Sequence, residues 1–390
     1  NTGYSTYVTE NSRNGEQVFI GLDPFGINSN SDIKFSLSGP VIKNRVYFFS
    51  NFRTQDVGGH LNGVRRFEVW NLSNFYDQDS SKWFSENTGD SSYVPMSSGE
   101  YTSFMGKLSF NLGSIKLSWM LNQNLSISRG YSHIYKYNPD GRSYGDGKTT
   151  LSMFQLNHFL NEKMFYDIKY SITNNDYGSY VFEDYDSYEV LKEDGIHQGT
   201  YHFAGDTIYN YVNDKYMTAY GPGFFTGGQD KGHLNRVTVT NNFKSDFTWQ
   251  ATNAHSLKTG FSFISYELEN IYQTIRNTYA GTSLESDQYK PFVLPDSTVY
   301  SDVYIVKPKE RSFYIQDKFE KEEIVINIGL RFDAFDANTT YPSQRRNPIN
   351  ASTYYLKNID GLDSLDAEGN FVVDGSRMSS PVRSKVAAQI

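Results

Sequence analysis

From Ile324 to Asp333 the chain alternates apolar and polar residues without a break. Ile324, Ile326, Ile328, Leu330 and Phe332 fall on one side of an extended chain. Val325, Asn327, Gly329, Arg331 and Asp333 fall on the other. Period two belongs to a strand, and so clean a split predicts a sheet with one apolar and one mostly polar face. Residues 312–319 precede it, and the charged break Glu320-Lys-Glu-Glu323 is short enough for a hairpin turn. Globular strands usually stop at about 5 or 6 residues, whereas a tilted crossing of a bilayer takes about 9 to 11. This hairpin has the length of a membrane-crossing pair.

Four further hairpins read the same way: 32–39 with 46–54, 102–110 with 115–126, 150–159 with 164–177, and 234–250 with 256–269. In the second of these, Phe104, Leu108 and Phe110 share a face, as do Ile115, Leu117, Trp119 and Leu121. Alternation fades after Glu269, and residues 385–390 read as the start of an eleventh strand. The connections within the hairpins are about 4 to 6 residues long, and those between hairpins run from about 20 to 55. The long ones span about 55–101, 129–148, 178–232, 272–309 and 338–384. Short turns at one end of the strands and long loops at the other are how an outer-membrane barrel is built. The expected fold is all-β: part of one transmembrane antiparallel barrel domain over residues 1–390, with periplasmic turns and extracellular loops. Phe48, Phe49, Phe159, Phe165, Phe247, Trp249, Phe319 and Phe335 lie near the expected short turns and are candidates for an interfacial girdle. Aromatic packing inside a β-sandwich would use the same residues.

Composition removes several classes. A net charge of −8 argues against nucleic acid as a partner, since phosphate affinity comes from basic surface. With no cysteine there is neither a disulfide framework nor a cysteine metal site. The longest apolar runs are four residues, as in Val46-Tyr-Phe-Phe49, which excludes a transmembrane helix. Mean hydropathy of −0.58 does not exclude a barrel, whose lipid-facing and lumen-facing residues average to a hydrophilic sequence. Tyr and Phe number 31 and 28, a composition that favours strands.

Catalytic signatures are missing. The histidines are scattered, and the spacing of His197 and His202 matches no helical ligand pair. No serine sits in a nucleophile elbow, and pairs such as Glu183/Asp184 read as solvated turn charges. Gly221-Pro-Gly-Phe-Phe-Thr-Gly-Gly228 lacks the ending of a phosphate loop and reads as a flexible tip. The run Asp360, Asp363, Asp366, Glu368 and Asn370 departs from a calcium-loop spacing. No enzyme activity, cofactor or metal is expected. Within 178–232, Tyr201, Tyr209, Tyr211, Phe224 and Phe225 are the candidate ligand-binding residues.

Phe313-Tyr-Ile-Gln-Asp-Lys318 followed by Asn327-Ile-Gly-Leu-Arg-Phe-Asp333 resembles the "YIQDK … LNLGLRYD" hairpin of TonB-dependent outer-membrane receptors. Ser38-Gly-Pro-Val-Ile-Lys-Asn-Arg-Val-Tyr-Phe-Phe49 is similar to the "GGPIIKNKLFFF" hairpin of their Oar-like branch, which carries a carboxypeptidase-regulatory-like domain. Residues 156–166 resemble the family's "THTLSPKTFYELKLSY" element. The resemblance implies a barrel of 22 or more strands, of which this chain supplies the N-terminal half, around an N-terminal plug. It also implies import of a bulky ligand (an oligopeptide, a glycan or a metal chelate) across the outer membrane. Energy would come from the TonB–ExbB–ExbD system through that plug. The expected partners are outer-membrane lipid and, in some relatives, a surface lipoprotein or larger membrane complex. No plug, energy-coupling box or terminal aromatic strand occurs in these residues, so they are expected to be part of a longer protein. Two alternatives stand beside transport: a barrel serving as scaffold or adhesin in a surface or secretion-related complex, and a secreted β-rich binding protein.

Overall fold

The computed structural model describes residues 30–59, 61–186, 188–190, 203–204, 207–218, 223–296, 298–339 and 387–389. Ten long strands run in chain order: β1 Asn30–Ile42, β2 Val46–Val57, β3 Gly99–Leu112, β4 Ile115–Ser128 and β5 Tyr144–Asn161. They continue as β6 Met164–Tyr180, β7 Gly232–Gln250, β8 His255–Asn277, β9 Lys309–Lys321 and β10 Ile324–Asp336. A short β11, Ala387–Gln389, pairs with Asp333–Phe335 of β10 where the sequence pattern placed an eleventh strand. Each strand neighbours the next in one antiparallel sheet from β1 to β11. Among the described residues the only helical pieces are short 3₁₀ turns.

The hairpin turns are residues 43–45, 113–114, 162–163, 251–254 and 322–323, shorter than the sequence suggested. The ladder runs to the last possible pair, Leu112 with Ile115 and Lys321 with Ile324. Left-handed backbone closes three of these turns, at Asn44 (φ 60°), Gly113 (φ 77°) and Glu322 (φ 53°). The strands also overrun at their other ends. β5 begins at Tyr144, and β8 continues to Asn277, well past the point where alternation fades. Backbone pairing needs no alternation, and at that end the loops cover both faces; Ile275 is fully buried there.

Two compact units make up the chain: Asn1–Gln155 with Ser171–Val239 and Leu268–Ile305, and Leu156–Tyr170 with Thr240–Glu267 and Val306–Ile390. In the first, register sets Ile33, Phe35 and Leu37 of β1 beside Thr54, Phe52 and Ser50 of β2. Phe48 and Phe52 in turn oppose Leu108 and Phe104 of β3, which oppose Trp119 and Gln123 of β4. These residues form one mostly apolar face. On the other face Arg53 grips Asp32 through two hydrogen bonds of 2.9 and 3.0 Å, and Asn51 donates to Ser36 at 2.8 Å. In the second unit Phe261 opposes Phe313, and Phe313 opposes Phe332; Ile315 opposes Leu330. Tyr314, Gln316, Arg331 and Gly329 share the polar face.

Burial is inverted relative to a water-soluble sheet. Ile328 is 69% exposed and Leu330 66%, and at the other end of the sheet Ile33 is 60% exposed. The buried apolar side chains among the described residues are Phe67, Val69, Met96, Tyr135, Tyr180, Tyr209, Tyr211, Val212, Tyr216, Ile275 and Tyr289. All sit in the long connections except Tyr180 and Ile275, which lie near the strand ends that feed those connections. Among the described residues the buried cores lie in the loops, and large apolar side chains on the apolar face of the sheet are exposed.

The girdle expectation needs two corrections. Phe335 pairs with Glu310, at the end of β10 away from the hairpin turn, because β10 continues three residues past Asp333. Phe49 pairs with Ser38 and Lys107 on the polar face, because its even-numbered neighbour Phe48 takes the apolar one. Phe159 and Phe165 do flank a turn together, with ring centroids 5.7 Å apart.

Candidate functional site

The long connections of the first unit fold into a layer with its own short ladders. Asn62–Val64 pairs with Tyr93–Pro95, and Ser73–Asn74 with Phe84–Ser85. Asp79 caps a 3₁₀ turn at Ser80–Lys82, and Asn213 caps another at Asp214–Tyr216, each by accepting a backbone N–H at 3.0 Å. Hydrogen bonds between connections hold the layer: Asn138 donates to the Gly228 carbonyl at 2.8 Å, the Gly228 N–H to Val69 at 2.6 Å, and the Asp230 N–H to Gly141 at 2.7 Å. Arg65 forks onto Asp140 at 2.5 and 3.2 Å.

Here the glycine-rich stretch differs from the flexible tip its sequence suggested. Gly227 and Gly228 are buried. A Cβ on Gly227 would lie 2.4 Å from the Asn71 carbonyl oxygen, and Gly228 has φ 75°. Glycine is required there for close approach of two backbones and for left-handed geometry.

Lys231 forms the electrostatic centre of the layer. It is buried, and its ammonium donates to the Val212 carbonyl and, at 3.2 Å, to the Tyr289 hydroxyl. The ammonium also lies 5.0 Å from the Tyr211 ring centroid and 4.7 Å from that of Tyr289, within cation–π range. Asp214 approaches to 4.0 Å but is 43% exposed, so its field is largely screened by water. Desolvation therefore wins and pulls the Lys231 pKa from 10.5 down to about 7, against the opposing pull of Asp214 and Asp230. Burial likewise pushes the Tyr211 phenol up to about 12 and raises Tyr289 as well.

Lys231 makes the layer pH-sensitive. Folded, the ammonium loses its proton near pH 7; unfolded, it keeps it to about 10.5. Between those values the unfolded form binds more protons, so stability of the layer rises with pH by at most about 1.4 kcal/mol per unit. Limited proteolysis within 207–218 should slow accordingly from pH 7 to 10. In Lys231→Met that slope should flatten; an unchanged slope would place the titrating group elsewhere.

The sequence candidates separate into two groups. Tyr209 and Tyr211 join Ile275 and Tyr289 in one buried cluster, with Phe182 edge-on to Tyr211 at 5.2 Å. Phe224 and Phe225 lie apart from them on the connection 129–143: Phe225 is 4.8 Å from the Tyr135 ring and Phe224 is 4.7 Å from Tyr137. Tyr201 lies outside the described residues, as do His197, His202 and the acidic run from Asp360. Around Phe224, Lys136 and Arg66 stand 4.8 and 5.9 Å from the Tyr137 centroid. Both rings are half-buried, and the two cations lie against them at the surface of the layer. Among the described residues no cluster of three metal-ligating side chains occurs.

The polar face of the second unit has a locked centre. Asp246, 5% exposed, accepts from the Tyr314 hydroxyl at 2.5 Å and lies 3.2 Å from Lys244. Tyr314 reaches it by crossing over Gly260, where a Cβ would meet its ring at 2.4 Å. Sequence reasoning missed this trio and Lys231. A glycine in alternating register was the one available hint for the trio.

No family model matches the chain, and comparison with curated proteins finds no relative. Solved structures do resemble it. The outer membrane transporter YddB from Escherichia coli aligns with 86% of this chain and 36% of its own, at 11% identity and TM-score 0.48. P. aeruginosa FpvA, solved bound to heterologous pyoverdines, aligns with 79% of this chain and 35% of its own, at 13% identity and TM-score 0.44. The closed form of the ferric-catecholate import receptor Fiu from E. coli K12 aligns with 92% and 45%, at 11% identity and TM-score 0.37. The chain thus spans less than half the length of each.

Proposed function

We propose that this chain is part of an outer-membrane β-barrel receptor of the TonB-dependent kind, importing a bulky ligand across the outer membrane. One observation carries the reading: among the described residues one face of the sheet leaves its isoleucines, leucines and phenylalanines exposed, while the buried cores lie in the loops. Lipid is the environment that makes such a face favourable, and strands of 12 to 23 residues exceed the span it requires. In this reading the loop layer faces the outside and captures the ligand, an oligopeptide, glycan or metal chelate. Tyr209 and Tyr211 hold the layer together, while Phe224 and Phe225 line its cationic surface. Release into the barrel would be driven by TonB–ExbB–ExbD acting through a plug, a part of the machinery outside these residues. A surface lipoprotein is a compatible further partner.

Because the chain carries no cysteine, single cysteines report topology cleanly. A membrane-impermeant maleimide applied to intact cells should label Ser81→Cys and Ser132→Cys in the loops, but not Gly113→Cys or Lys163→Cys in the turns. Equal labelling of all four would end the barrel reading. Ligand uptake that persists without TonB would leave the barrel and end the TonB coupling; no uptake with or without TonB would reassign it to scaffold or adhesin.

A further inference from the structure

Arg311 of β9 points from the apolar face of the second unit. It lies between Phe263 of β8 and Ala334 of β10, one row farther from the hairpin turn than Phe261, Phe313 and Phe332. The guanidinium is exposed and stands 5.9 Å from the Phe263 ring centroid. Charges on either side of it are paired. Nearer the turn Asp317 meets His255 at 2.7 Å, and farther from it Glu267 of β8 holds Lys307 at 2.8 Å. Lys309 shares the face with Arg311, opposite Asp336, which accepts the Asn338 N–H at 2.9 Å. Among the described residues no ion pair reaches either Lys309 or Arg311.

Arg311 also marks the edge of the apolar band. From Ile324 at the turn to Ala334 beside Arg311, β10 advances about 34 Å, which at a tilt of about 40° is about 25 Å across the membrane. Lipid-facing bands of outer-membrane barrels are about that tall. Arg311 therefore stands where hydrocarbon gives way to headgroups, on the loop side. A cation there reaches back to water or takes an anion from the headgroup layer. The second is stronger for arginine, whose planar fork meets two phosphate oxygens at once. Contact with Phe263 orients the fork before lipid arrives and lowers the cost of ordering it.

We propose that Arg311 and Lys309 bind the phosphate of an outer-leaflet lipid, whose acyl chains lie along Phe261, Phe313 and Phe332. The occupant follows from the two halves of the site: three exposed rings on a face that lipid covers, and two adjacent cations without acids. In a chain of net charge −8 the attraction is local, because the protein as a whole repels anions. The proposal rests on the barrel reading, since a headgroup meets Arg311 only if this face is covered by lipid.

The test uses the full protein in neutral detergent micelles doped with a phosphorylated glycolipid or its dephosphorylated form, with retained lipid counted by native mass spectrometry. The parent protein should hold the phosphorylated form at least tenfold more strongly, and Arg311→Gln should remove that preference, following the value of charge-assisted bonds. Lys309→Gln should weaken it about fivefold. Arg311→Lys keeps the charge but loses the fork, and should fall between parent and Arg311→Gln. Arg311 is exposed, so both of its variants fold. Lys163→Gln removes the same charge in the exposed turn at 162–163 and should leave retention unchanged. Equal retention of the two lipid forms, equal losses in Arg311→Gln and Lys163→Gln, or full competition by inorganic phosphate would overturn the proposal. Cysteine labelling keeps two failures apart. Labelling in the loops alone, with no lipid preference, removes this site and leaves the barrel; equal labelling at both ends removes the barrel and the site with it.

Discussion

Leu108→Arg should destabilise the protein in lipid by about 1–3 kcal/mol, while Ser109→Arg, one residue on, should change it by less than about 0.5 kcal/mol. Leu108 lies between Phe48 on one side and Trp119 on the other, on the apolar face of β3 four residues before its end at Leu112. An arginine there must bring its guanidinium into hydrocarbon or bend it toward the interface. Ser109 faces the other way, between Tyr47 and Ser118, where a long cation meets water and polar neighbours. Reversible guanidinium unfolding in lipid vesicles measures both, and the fraction of protein reaching the outer membrane should follow the same order. Equal effects at the two positions would mean that the two faces see the same solvent, and the barrel reading would fail.

The second large effect is expected at Gly260. In Gly260→Ala the new methyl carbon would sit 2.4 Å from the Tyr314 Cε1 and 2.5 Å from the Asp246 Oδ1. No rotamer of alanine avoids this, so the tyrosine ring must swing off and its hydrogen bond to Asp246 is lost. Overpacking contributes about 1–3 kcal/mol, and a buried carboxylate oxygen left without its donor contributes about 1–3 more. Tyr314→Phe removes only the hydroxyl and should cost about 1 kcal/mol, since Lys244 still pairs with the other Asp246 oxygen. The decisive measurement is a double-mutant cycle. In a Tyr314→Ala background the ring clash is gone and only the contact with the Asp246 Oδ1 remains, so Gly260→Ala should cost less than half as much as in the parent. A full cost in that background would mean that the clash is with the Asp246 carboxylate and not with the ring.

The strands were legible because their information is local. Alternation in 324–333 and in 115–126 depends on nearest neighbours, and each pairing follows once the turn is placed. The ends of the strands were less so. β8 runs to Asn277 through residues whose alternation has faded, because its last turns are covered by loops instead of being split between two solvents. Phe335 was placed near a turn by counting from a strand end that the structure moves.

The loop layer was hardly legible at all. Tyr209 and Tyr211 stood out as aromatics among polar residues, yet Asp230-Lys231-Gly232 reads as an ordinary solvated bend. Lys231 is buried because residues 209–212 and 275–289 close over it.

By itself, the sequence determined that this chain forms long antiparallel strands with one apolar face, since a two-residue period and short turns act within a few residues. Only the tertiary structure decided which charges lose their water, where glycine lets a tyrosine cross, and which arginines are left without a carboxylate. Those outcomes depend on segments tens of residues apart meeting in space, and no local pattern encodes that meeting.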